Sequence, residues 1–286
     1  MTGMMRAVGG VPTWLALLFF LAAPAVADAA DEPGKSTAGG LDSAITTGAR
    51  ILVEDTKALL TSPLRMDGKD ALAAGGALAV VGGMFAADKP IRTLVLNNQS
   101  SAGRNTADAF NTLGSAGTLF AFNAGVAAVG WMGESYGGSS KLKETGLISF
   151  EAEGFAVAAT FALKEVTGRS RPDKNQGTTH FRPFASDGSF ASTSSSASFA
   201  VATVFADRYG APAGIIGYSL ATAVAAARVY SDRHFASDVV AGALIGWGMG
   251  YFLSKRHSSD DPTAWQIRPV AMGQGLGGGV MVGRRF

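Results

Sequence analysis

Eight apolar stretches, most of them closed by glycine, proline or asparagine, limit this chain more than any other feature of its sequence. They run over 41–60, 70–87, 106–113, 118–132, 142–164, 195–207, 213–230 and 236–255. Apolar runs of this kind between breakers read as helices. Strand-like patterning is sparse until 266–286, where two apolar runs flank a glycine-rich stretch and read as a hairpin. The expectation is an all-α helical bundle with a short C-terminal β-hairpin that covers it. Within the last helix, Gly242, Gly246 and Gly250 recur every four residues on the face that carries Asp238. Glycine is costly in an isolated helix, but at this spacing it lets a second helix approach closely.

The polar residues in this apolar background carry the chemical signal. Arg228, His234 and Asp238 follow one another over a short stretch. With a helix beginning near Phe235, His234 and Asp238 stand at i and i+4 on one face. A carboxylate there can keep one imidazole nitrogen protonated and leave the other bare as a nucleophile. Arg228 offers a planar, permanently charged fork for phosphate oxygens. Upstream, Lys164 and Arg171 stand seven positions apart, and Pro172 biases Arg171 onto an extended loop. Between these motifs the serine-rich run 192–198 leads into an apolar helix, a start that presents N–H groups and hydroxyls to an anion. Singly, Lys164 reads as a helix-end charge, Arg171 as a surface residue and the serines as a linker. As an ordered set with Arg228, His234 and Asp238, the site reading outweighs these. Arg169 either assists phosphate or pairs with Asp173, and Asp232 and Arg233 read as the turn that exposes His234.

Lys164, Arg171-Pro172, the Ser192 loop, and Arg228, His234, Asp238 together resemble the three-part signature of the type 2 phosphatidic acid phosphatase and vanadium haloperoxidase superfamily, over about 154–253. The resemblance implies a bundle of the acid phosphatase/vanadium haloperoxidase type and assigns roles. Lys164, Arg171 and Arg228 would neutralise phosphate oxygens, and Ser192 with the N–H groups of Thr193 and Ser194 would complete the cradle. His234 would attack phosphorus in line and form a phosphohistidine, oriented by Asp238, with no metal or cofactor required. One departure matters. The family's middle motif ends in a histidine that protonates the leaving group, and here Ser194 holds that place. A serine hydroxyl is far too weak an acid, and a missing general acid costs about 10²–10⁴-fold in rate. Thr193 also replaces a glycine and adds a Cβ beside the phosphate.

The chain has three histidines. His257 follows Lys255-Arg256 and reads as a solvated charge at a helix end. His180 lies in the loop between the first two motifs, where it is either a substitute acid or an ordinary loop residue. The expected activity is hydrolysis of phosphomonoesters, lipid phosphates or diphosphates, slowed by Ser194. The rival is a catalytically inactive phosphate- or phospholipid-binding envelope protein; a haloperoxidase ranks third, since it also relies on the missing histidine.

The start of the chain reads as a secretory signal over 1–27, with Arg6, an apolar core and Ala25-Val26-Ala27 before Asp28. A mobile leader is expected over 28–40, the helical domain over 41–255 and a tail with the hairpin over 256–286. The absence of cysteine excludes disulfides. A net charge of +2 without a basic stripe speaks against nucleic acid as a partner. Ser149, Glu151 and Glu153 interrupt their helix and argue against a simple lipid-facing span. An exported protein facing the periplasm, pressed against a membrane, is therefore preferred over one that crosses it repeatedly. Oligomeric state is not encoded in any motif.

Overall fold

The computed structural model describes residues 37–184, 188–257, 265–271 and 278–284. The secretory signal and most of the leader lie outside them. The bundle is built from α1 (Thr37–Thr61), α2 (Gly68–Asn97), α3 (Ser101–Leu113), α4 (Ala116–Ser135), α5 (Lys141–Thr167), α6 (Thr193–Tyr209), α7 (Ala211–Tyr230) and α8 (Ala236–Arg256). Side-chain caps start several of these helices: Asp67 accepts from the N–H groups of Lys69 and Asp70, and Ser100, Ser115 and Ser192 do the same for α3, α4 and α6.

Each expected helix is present, but α2 runs ten residues past the expected end at 87, straight through Pro90. A proline inside a helix removes one backbone hydrogen bond and crowds the preceding turn. Polar anchors on both sides of Pro90, described below, offset that cost. Downstream of the bundle, Trp265–Ala271 runs antiparallel to Gly278–Arg284, with Ile267 opposite Val282. Side chains of this stretch, and Phe286, lie outside the described residues.

The centre of the bundle is α6, against which α5, α7 and α8 pack. Its core joins Ile148, Ala152 and Ala156 of α5, Ala200 and Val204 of α6, and Leu253 of α8. A Cβ on Gly246 would stand 2.0 Å from the Ser196 carbonyl oxygen, so α8 meets α6 backbone to backbone, as the glycine spacing predicts.

The polar interruptions of α5 turn inward. Ser149 and Glu153 are fully buried between helices, so they do not disqualify α5 from lying in lipid. Among the described residues five helices, α2, α4, α5, α7 and α8, are long and apolar enough to cross a membrane. Large apolar side chains such as Leu72, Leu78, Ile215 and Ile216 face outward. Those faces go with membrane association.

Candidate active site

Four helix ends meet at one end of the bundle: the last turns of α5 and α7 and the first turns of α6 and α8. Between them lies a hollow of about 200 Å³ lined by Phe161, Lys164, Glu165, Arg171, Gly188, Thr193, Ser194, Arg228 and His234. Six of the residues singled out from the sequence thus share one wall. The local reasons are visible in the chain. Gly168 ends α5 with φ +54°, where a Cβ would clash with the Arg182 carbonyl, and the chain folds back so that Ser170 N–H donates to the His180 carbonyl at 2.9 Å. Pro172 then holds Arg171 extended, at φ −69° and ψ 153°.

The imidazole of His234 is only 3% exposed. Its Nδ1 lies 2.9 Å from the Ser189 carbonyl oxygen, which can only accept, so Nδ1 carries the proton and Nε2 is bare. Asp238 stands behind, its Oδ2 3.6 Å from Nδ1. This differs from the expected direct pairing, because the carboxylate is engaged elsewhere: Oδ1 accepts from Arg169 at 2.6 Å and Oδ2 from the Phe235 N–H at 2.9 Å. Burial pushes the His234 pKa down to about 4, against the opposing pull of Asp238, so the ring is neutral at ordinary pH.

The cations differ in how they are held. Lys164 donates to the Ala191 carbonyl at 2.7 Å and to the Thr193 hydroxyl. Thr193, at the place where the resembled signature has glycine, therefore anchors the lysine. Arg228 donates to Asn111 Oδ1 at 3.2 Å, while its Nε is buried without an acceptor. An anion oxygen in the hollow would satisfy such a donor. Arg171 reaches the Arg233 carbonyl at 3.4 Å. The N–H groups of Thr193 and Ser194 open α6 and have no acceptor within the helix.

Several expectations change. Ser192 does not line the hollow: it is fully buried, caps α6, and its N–H donates to the Asp238 carbonyl at 2.9 Å. Arg169 pairs with Asp88 and Asp238 instead of Asp173 or phosphate. His180 is not among the lining residues, and its Nδ1 bonds the Ser170 hydroxyl at 2.8 Å. His257 is not a solvated charge, since it sits between Asp55 at 2.8 Å and Glu151 at 3.5 Å. Sequence reasoning also missed Glu165, which brings an acidic group to the wall, and Asp88. The signal for Asp88 was an acid two residues before a proline in a largely apolar helix.

Among the described residues, one group brings metal-type donors together: Asp55, Glu151 and His257, whose ligand atoms lie within 4.8 Å of one another. Its donors already engage each other, with Arg256 also on Asp55, and it lies far along α5 and α8 from the hollow. It is a salt-bridged brace between α1, α5 and α8.

Residues 146–260 match the model of the PAP2 superfamily. A lipid A 1-phosphatase of Porphyromonas gingivalis is 31% identical over 151 residues, which cover 50% of this chain and 31% of that protein. The match thus spans about a third of the curated relative's length. In fold, the chain resembles the crystal structure of a transmembrane PAP2 type phosphatidylglycerolphosphate phosphatase from Bacillus subtilis. The TM-score is 0.50 at 20% identity, over 62% of this chain and 92% of the other.

Proposed function

We propose that this chain, whose residues 146–260 match the model of the PAP2 superfamily, is a membrane-associated phosphatase acting on phosphomonoesters, lipid phosphates or diphosphates through a phosphohistidine on His234. One observation carries the reading: a neutral imidazole with a bare Nε2 on the wall of a hollow that also holds Lys164, Arg171 and Arg228.

The ester phosphate enters the hollow, and the three cations with the N–H groups of Thr193 and Ser194 spread its charge. Nε2 attacks phosphorus in line; the P–N bond forms as the P–O ester bond breaks. Charge stabilisation by fixed donors supplies the main acceleration. With Ser194 at the acid's position, the departing alkoxide takes its proton from water, so leaving groups of low basicity react best. A second water then attacks phosphorus, the P–N bond breaks and phosphate leaves. Export to the periplasm is part of the proposal and rests on residues 1–27 alone.

Ser194 also favours a second reading, a protein that binds phosphate or phospholipid without turning it over. Purified full-length protein in detergent, given an aryl phosphate with and without vanadate, separates the two. The phosphatase reading expects turnover that vanadate inhibits and that His234→Ala abolishes. Phosphate binding with no turnover would replace it with the second reading.

A further inference from the structure

We propose that Asp88 and Arg92 of α2 are positioning residues for His234, which makes a helix outside residues 146–260 a working part of the site. The inference rests on the reading of His234 as the nucleophile. Four residues apart, Asp88 and Arg92 face the same side of α2.

Asp88 is 1% exposed and both its oxygens are engaged. Oδ1 accepts from the Ser237 N–H at 2.8 Å, and Oδ2 from the Ser237 hydroxyl at 2.6 Å and from Arg169 at 2.7 Å. It therefore holds the first turn of α8 and neutralises, jointly with Asp238, the fully buried guanidinium of Arg169. Phe85, three residues before it on α2, stacks at 4.3 Å on one side of that guanidinium, and Phe235 lies at the same distance. A buried arginine with a single carboxylate would leave donors unmet or draw the other acid toward itself. Here that other acid is Asp238, which stands behind His234. Arg92 grips the opposite flank: Nε and a terminal nitrogen donate to the two oxygens of Asp232 at 2.7 Å each, and the terminal nitrogen also reaches Asn175 Oδ1 at 2.8 Å. Such a two-pronged pair fixes geometry as well as charge.

Together these contacts bracket the nucleophile. Asp232 lies two residues before His234 and Ser237 three after it. The Ser189 carbonyl that accepts from His234 is itself set by Arg169, whose carbonyl accepts from the Ser189 N–H at 2.7 Å. None of the residues in the apolar window of α2 is buried, so its polar face supplies the fixed contacts. This accounts for the continuation of α2 through Pro90: ending at 87 would forfeit both Asp88 and Arg92.

The test uses the full chain in lipid nanodiscs with ¹⁵N-labelled histidine, where three histidines give three resolvable rings. In Asp88→Asn the Nδ1 proton of His234 should exchange with water about tenfold faster, while His257 is unmoved. On an aryl phosphate kcat should fall about 10–10²-fold with KM within about twofold, the pattern of a misplaced nucleophile. Arg92→Lys, which keeps the charge and loses the fork, should move both readouts the same way by less. Asp70→Asn, which weakens the cap at the far end of α2, should move neither. An unchanged His234 signal in Asp88→Asn and Arg92→Lys would overturn the proposal. So would equal disturbance of His234 and His257, which would make Asp88 a general stabiliser. If Asp88→Asn does not fold, Arg92→Lys decides by the same criteria. If the wild type shows no turnover while the His234 signal still responds, positioning stands and the phosphatase reading falls.

Discussion

Two histidines stand at opposite ends of α8, both withdrawn from water, and the protein drives them in opposite directions. Burial takes His234 down to about 4, only partly opposed by Asp238, and Arg228 and Lys164 push the same way as burial. Burial also acts to lower His257, but hydrogen bonds and charge from Asp55 and Glu151 outweigh it and raise it to about 9. The difference lies in what the nearest carboxylate is doing. Asp238 is committed to Arg169 and to its own helix start, 3.6 Å from the ring. Asp55 meets His257 directly at 2.8 Å, with Glu151 as a second acid. A neutral ring with a bare nitrogen can attack phosphorus, and a charged ring between two acids is a brace.

Deleting each ring should break the comparison most sharply. His234→Ala is expected to lower kcat on an aryl phosphate by on the order of 10⁴-fold or more, with little change in melting temperature. His257→Ala should do the reverse, lowering the melting temperature while kcat stays within about threefold. If His257→Ala also abolished turnover, the two ends of α8 would not be separable as argued.

Supplying the missing acid is the next largest effect. Ser194→His should raise kcat/KM for alkyl phosphates about 10²-fold and for aryl phosphates much less. Equal gains on both substrates would remove Ser194 from the acid's position.

Acidity should distinguish the rings without any mutation. The acid limb of kcat/KM should fall near pH 4, because His234 stays unprotonated down to there. The stability contributed by His257 should be fully present below about pH 6.5 and lost as pH rises through about 9, since its folded pKa is the higher one. Melting temperature against pH in wild type and His257→Ala checks this; parallel curves would contradict it. The smallest effect expected is from Glu165→Gln, which removes the acid from a wall of three cations and should tighten phosphate about two- to threefold in a titration.

Much of this architecture was legible in the sequence because helix ends and glycine spacing are local signals. The start of α8 at Ala236 and the close approach at Gly246 both follow from short-range patterns. The gathering of Lys164, Arg171, Arg228 and His234 was legible by another route, an order and spacing that resemble a known signature. What escaped was long-range. Nothing near Asp88 or Arg92 announces that their partners lie 149 and 140 residues onward, and Pro90 reads as a stop until those partners are seen. The Ser189 carbonyl, a backbone group, carries no side-chain mark of its role. Arg169 sits two residues from Arg171 in a basic motif, and only burial tells the structural arginine from the one that lines the hollow. The inward turn of Glu153 was likewise hidden, because a polar residue in an apolar helix can face lipid, water or a neighbour.

The central claim is that Nε2 of His234 becomes bonded to phosphorus. A single-turnover reaction with excess protein, quenched in base to preserve phosphoramidates and digested for mass spectrometry, addresses it directly. The account predicts phosphate on the peptide containing His234, appearing before free phosphate and absent from His234→Ala. Hydrolysis at full rate with no phosphorylated peptide at any time, or phosphate on a different residue, would contradict it.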